Sequence, residues 1–82
     1  EQRARHLYRR ACFYEARAAA LVARDPASEP TRSILYLSAA ACAHNGQRPA
    51  KARHLIAEAR RGWPPPRVEA DLQMIEAMLE DA

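Results

Sequence analysis

The chain has 82 residues, a formal net charge of +3 and 49% hydrophobic residues, so a single small domain with a packed core is expected. It contains no run of β-branched residues and no apolar stretch of about 18 residues, which excludes a β fold and a membrane-spanning helix. The sequence therefore predicts an all-α protein with four helices, over residues 2–24, 30–44, 49–61 and 66–81.

Residues 2–24 are predicted to form one long amphipathic helix. Apolar residues recur there at separations of three and four, which is the helical period. We interpret this stripe as the face that packs on the rest of the protein, and Pro26 as the end of the helix. Pairing of the stripe with a second copy, as a structural homodimer, is the alternative, although coiled coils normally sustain about three or four heptads. The stripe comprises Ala4, Leu7, Ala11, Phe13, Tyr14, Ala18, Leu21 and Val22.

An antiparallel pair of helices is predicted between Ile34 and Pro64. Pro30 opens the first of them, with Ser28 or Glu29 as its cap. Gly46 follows its last periodic residue, where a left-handed residue without a Cβ is favoured. The second helix is predicted to begin at Pro49 and to end at Gly62 and Pro64. The predicted contact faces are Leu35, Tyr36, Ala39, Ala40, Cys42 and Ala43 in the first helix and Ala52, Leu55, Ile56 and Ala59 in the second.

This pair of helices resembles a tetratricopeptide repeat. Ala52, Ala59 seven residues later and Pro64 five residues after that are similar to the second helix and closing proline of that family. Tyr36 and Ala40 resemble the aromatic and small positions of its first helix. The turn after Gly46 is one residue longer than the family pattern, and Ala39 and Ala43 stand where a leucine and an aromatic are commoner. The resemblance covers residues 31–64, as in small bacterial proteins built on such a hairpin.

The resemblance implies a function and a site. Tetratricopeptide repeats are non-enzymatic modules that bind another protein or a peptide in a groove along their first helices. The first and last helices of this chain would then cover the sides of the hairpin, because a lone repeat cannot bury both faces. The family's groove positions, counted from Tyr36, fall on Leu37, Ala41, His44 and Asn45.

The last predicted helix follows Trp63 and three consecutive prolines. Its buried face is expected to consist of Val68, Leu72, Ile75 and Leu79, which are spaced by three and four residues, with Met78 alongside. Trp63 is expected to fold over the end of the hairpin and to form part of the core.

Charge is divided unevenly along the chain. Residues 1–24 hold six arginines against two acids, residues 48–62 hold five basic residues against Glu58, and residues 63–82 hold five acids against Arg67. The basic and acidic helices can complement one another within the fold or between neighbouring molecules, or the basic faces can meet an acidic protein. Nucleic acid is a less favoured partner, because Lys51 is the single lysine and no aromatic residues are interleaved with the basic ones.

The sequence offers little support for catalysis. It has no CxxC motif, and none of its three histidines is spaced for a metal or a catalytic pair, so we expect no enzyme activity, metal or cofactor. Arg48 and His54 are similar to the Arg–His pair of HEPN-type ribonucleases, which keeps an RNA-directed function as an alternative.

Two features bear on the location of the protein. Cys12 and Cys42 lie among apolar residues, so they are expected to be buried free thiols in a reducing cytoplasm. The first residues contain no secretory hydrophobic segment. The chain does not begin with methionine, which is compatible with a segment of a longer protein.

Overall fold

The computed structural model describes residues 2–81 and confirms the all-α class. No strand is present in that range. A short 3-10 helix, Pro26–Ser28, lies between the first two α-helices. The α-helices are α1 (Gln2–Ala20), α2 (Thr31–Asn45), α3 (Pro49–Arg60) and α4 (Pro66–Glu80).

Helix α2 is the centre of the molecule. It packs against α1, α3 and α4, and α4 also contacts α3. The predicted close approach in the hairpin is confirmed, since Ala40, Ala52 and Ala59 are fully buried. The predicted face of α4 is confirmed as well, because all four of its residues lie in the same core cluster, with Leu72 fully buried. The alanine side chain is small, so the backbones of α2 and α3 come close together where alanines face each other.

Helix α1 is shorter than predicted: it ends at Ala20 and not near residue 24. The chain tightens there, where the backbone amides of Leu21 and Val22 donate to carbonyls three residues earlier, at 3.2 and 3.1 Å. Beyond this turn, Arg24 Nη1 donates to the carbonyl oxygen of Arg61 at 3.1 Å, at the far end of α3. This contact joins residues that are far apart in the sequence. Local helix propensity therefore could not predict it.

Glu29 joins three parts of the fold. One carboxylate oxygen accepts the Ser33 backbone amide at 3.1 Å, which caps α2, and the other accepts the Trp63 amide at 2.9 Å. The N-cap residue of α2 is Pro30 and not Ser28 or Glu29 as predicted, and Glu29 accepts the Ser33 amide from one residue before the N-cap. Burial raises the pKa of Glu29, but the hydrogen bonds from Trp63 and Ser33 and the charge of Arg32 outweigh it and leave this pKa below its usual range.

Arg32 is a buried arginine that no pattern in the sequence indicates. It is only 4% exposed, and its guanidinium lies 4.8 Å from the centroid of the Tyr36 ring. A Cβ at Gly62 would lie 2.6 Å from both Arg32 Nη1 and Glu29 Oε2. Gly62 thus leaves room for two charged groups as well as ending α3. Trp63 was predicted to form part of the core, and that prediction is wrong, because Trp63 is half exposed.

The turn between α2 and α3 also differs from the prediction. Gly46 has a φ of −82°, and the left-handed residue is Gln47, with a φ of 58°. The Gln47 amide donates to the His44 carbonyl and the Arg48 amide to the Ala43 carbonyl, which is the Schellman pattern with Gln47 at C′. Gly46 is instead needed for its contact with α1, because a Cβ there would lie 3.0 Å from Arg9 Cγ.

Replacing Gln47 with glycine is expected to stabilise the protein by about 1 kcal/mol, because the left-handed backbone is strained for a residue with a Cβ. The reciprocal control is Gly46→Ala, which is expected to lower stability through its contacts with Arg9 and the Cys42 carbonyl. Urea denaturation of both variants measures the difference. A stabilising Gly46→Ala would show that the Arg9 side chain gives way and that its contact does not require glycine, and a Gln47→Gly variant without added stability would contradict the left-handed placement of residue 47.

One ion-pair network joins α3 to α4. Arg60 donates to Glu69 at 2.6 Å through Nη2 and contacts Glu76 through both Nη atoms. Hydrogen bonds from Arg60 hold the pKa of each of these carboxyl groups below its usual range. About a third of each side chain is exposed, so the pairs contribute modestly to stability. Two acids of α4 are thereby engaged within the fold by a single arginine.

Candidate protein-docking surface

Large apolar side chains of α1 and the turn after it face solvent. Leu7 is 57% exposed, Tyr14 61% and Leu21 88%. These three residues, spaced by seven, form what we call the outer stripe. The sequence predicts these three side chains on the face of α1 that packs on the hairpin, and that prediction is wrong.

Helix α1 instead packs on α2 through small residues. Cys12 and Ala19 are buried, and Ala16 packs beside them. Cys12 lies five residues after Leu7, which places it roughly 140° around the helix axis. Arg9 supports this orientation, because its Nε donates to the Gly46 carbonyl oxygen at 2.9 Å. Small residues allow α1 to approach the alanine-rich surface of α2 closely, and the large apolar side chains are consequently left outside.

Phe13 extends the apolar surface around α1. Its ring lies edge-on to Tyr14, with centroids 5.5 Å apart, and it is 55% exposed. The Arg17 guanidinium lies 5.5 Å from the centroid of the same ring. Arg17 is one turn before Leu21 and one turn after Phe13, so a cation and an aromatic ring border the outer stripe on one side.

An open cavity of about 370 Å³ adjoins these two residues, which we call the basic cavity. Arg48 and Lys51 reach it from the start of α3, and Arg17 from α1. Its floor is apolar, so a ligand with both an apolar part and a negative charge would suit it. Its lining residues are Cys12, Phe13, Ala16, Arg17, Ala20, Arg48 and Lys51.

Cys12 lies in the basic cavity. Burial raises the pKa of its thiol above the ordinary value, and the charges of Lys51 and Arg48 only partly oppose this. Burial is also the main cause that raises the pKa of Cys42, with Glu15 adding to it. Both thiols are free, as predicted, but Cys42 is only half-buried.

The α2 positions predicted from the resemblance are only partly accessible. Leu37 and Ala41 are half-buried and pack against the core, whereas Asn45 is exposed. His44 borders a separate cavity of about 340 Å³ with Gln47, Pro49 and Leu79. The four positions thus do not line one cavity, and their role in binding stays a prediction.

The other candidate residues are spread over the surface. His54 is exposed on α3, and Arg48 lies at the start of that helix beside the basic cavity. Within residues 2–81, no three His, Cys, Asp or Glu side chains are grouped so that they could hold a metal ion. The helices of this range are also too short or too polar to cross a membrane.

Comparisons of this chain with protein-family models, curated proteins and solved structures give no match. The tetratricopeptide-like interpretation of residues 31–64 therefore stays a prediction. The outer stripe and the basic cavity are the most distinctive parts of the surface of this protein.

Proposed function

We propose that this chain is a non-enzymatic protein-interaction module of tetratricopeptide-like type, which docks an acidic, amphipathic helix on α1. The observation that carries the proposal is the orientation of α1, which buries Cys12 and Ala19 and leaves Leu7, Tyr14 and Leu21 in solvent. An apolar helix face of this kind, rimmed by charges, is typical of protein-interaction sites.

The exposed area of the molecule supports an unpartnered face. Its accessible surface is 5326 Å². A compact monomer of 9.2 kDa is expected to expose about 4,900 Å². Five of the nine exposed large hydrophobic residues found in the range 2–81 belong to α1 and the residue after it: Leu7, Tyr8, Phe13, Tyr14 and Leu21.

Charge sets the chemistry of the partner. Helix α1 carries five arginines against one acid, Glu15. Arg10 and Arg17 are seven residues apart, so they lie on one line beside the outer stripe. The basic cavity adds Arg48 and Lys51 next to Arg17. A partner helix with acidic residues beside its apolar stripe would be attracted by this field, whereas a basic helix would be repelled.

The proposal can be tested with a labelled synthetic helix that carries leucines on one face and glutamates beside them. Fluorescence anisotropy should show saturable binding to the wild-type protein, weakened by added salt. Leu7→Glu and Tyr14→Glu should each weaken binding by about tenfold or more, since each places a charge in the apolar contact. A peptide with lysines in place of glutamates should bind at least about tenfold more weakly.

Ile34→Glu is the matched control, because Ile34 is 47% exposed and lies on α2, seven residues before Ala41. This variant should bind like the wild type. Loss of binding in Ile34→Glu with full binding in Leu7→Glu would move the docking surface to α2, as the family resemblance implies. Generic RNA that binds, and loses binding on Arg48→Ala, would favour the nucleic-acid alternative.

A further inference from the structure

The outer face of α4 has the chemistry that the outer stripe requires. Met74 is 63% exposed and Met78 45%. Asp71 and Asp81, both exposed, lie three residues before and three residues after this pair. Methionine is flexible and suits an adaptable helix contact. We call Met74 and Met78 with these two acids the acidic face.

The charges on α4 remain available for a partner. Glu69 and Glu76 are engaged by Arg60 within the fold. Asp71 and Asp81 form no ion pair within residues 2–81 and lie beside the methionines. Helix α4 has four acids against one arginine, whereas α1 has five arginines against one acid. The two helices are thus complementary in both charge and apolar character.

One molecule cannot satisfy both faces by itself. Helices α1 and α4 pack mainly on α2 and not on each other. The outer stripe lies on the side of α1 away from its buried residues Cys12 and Ala19, and the acidic face lies on the side of α4 away from Leu72. Each face is therefore free to meet a second molecule.

We propose that the acidic face of one copy docks on the outer stripe of the next, so that this chain associates head to tail. This inference rests on the proposed function of the outer stripe and names its partner. A symmetric pairing of α1 with α1 would bring Arg10 and Arg17 of both copies together, which like charges oppose. Pairing of α1 with α4 places arginine beside aspartate. Because the two faces differ, a single contact leaves one face of each copy open, so the association continues through further copies unless the rotation between copies closes a ring.

Analytical ultracentrifugation of two blocked variants tests this arrangement. Tyr14→Glu blocks the outer stripe, and Met74→Glu blocks the acidic face. Wild-type protein should show an average mass that rises with concentration above that of the monomer. Each blocked variant alone should be monomeric, because every copy lacks the same face. A 1:1 mixture should form a heterodimer and nothing larger, because each variant supplies the face that the other lacks.

Three outcomes would overturn the inference. A Met74→Glu variant that still dimerises alone would mean that α1 pairs with α1. A mixture that stays monomeric, or a wild-type protein that is monomeric at every concentration, would mean that the two faces do not bind each other. Binding of the synthetic acidic helix by that same wild-type protein would leave the proposed function standing. Both substituted residues are more than 60% exposed, and circular dichroism melts should verify that the variants fold. Ile34→Glu, on α2, should associate like the wild type.

Discussion

Replacing Ala52 with leucine is expected to destabilise the protein by about 1–3 kcal/mol, because the added methyl groups have no space. Ala52 is fully buried in α3, which packs on α2. The larger side chain would separate the two helices or force strained rotamers. Stability should be measured by urea denaturation, with the midpoint shifted at an unchanged slope.

Ala57→Leu is the control for this change. Ala57 is in the same helix but exposed, so the same substitution should change stability by less than about 0.5 kcal/mol there. If Ala52→Leu were as stable as Ala57→Leu, the close approach of α2 and α3 would not exist. The tetratricopeptide-like interpretation would then lose its physical basis, because alanine would have no packing role in the hairpin.

The hairpin and α4 could be predicted because several signals agree there. Proline and glycine mark their ends, and large apolar residues such as Leu55 and Leu72 recur at the helical period with polar residues opposite. In α4 the sequence also predicts Met78 alongside the buried face, and that prediction is wrong, because Met78 is 45% exposed. The four residues of the buried face itself could still be identified from their spacing.

Helix α1 shows where such reasoning fails. It has one stripe of large apolar residues and another of small ones, Cys12, Ala16 and Ala19, also spaced by four and three. The rule that the larger stripe is buried selected the outer stripe. The surface of α2 that receives α1 is built from small residues, so the small stripe fits and approaches closely. The signal was present, since the alanines of the hairpin already indicated close helix approach.

The docking surface depends on contacts that no local pattern reveals. The basic cavity combines Cys12 and Arg17 of α1 with Arg48 and Lys51, more than thirty residues later. Gly46 was placed in the left-handed region because glycine usually occupies it, yet its role is to admit the Arg9 side chain. The deciding contacts are between α1 and the start of α3 in the first case and between α1 and the end of α2 in the second, and a fold must be known before such contacts can be found.

Replacing Leu72 with alanine is expected to have the largest effect on stability, a loss of about 2–5 kcal/mol, because it leaves a cavity as well as removing apolar contact. Leu72 is fully buried and is among the largest side chains of the core. An 82-residue protein has on the order of 4–12 kcal/mol of total stability, so the loss is a large fraction of it. Helix α4 should open more readily in this variant, because Leu72 is one of the four buried residues that hold it on the core, and amide exchange in residues 66–80 should accelerate accordingly. Met74→Ala, two residues further along the same helix but exposed, should change stability by less than about 0.5 kcal/mol. Equal losses in the two variants would mean that α4 is not anchored through Leu72, and the acidic face would then lack the fixed orientation that head-to-tail docking requires.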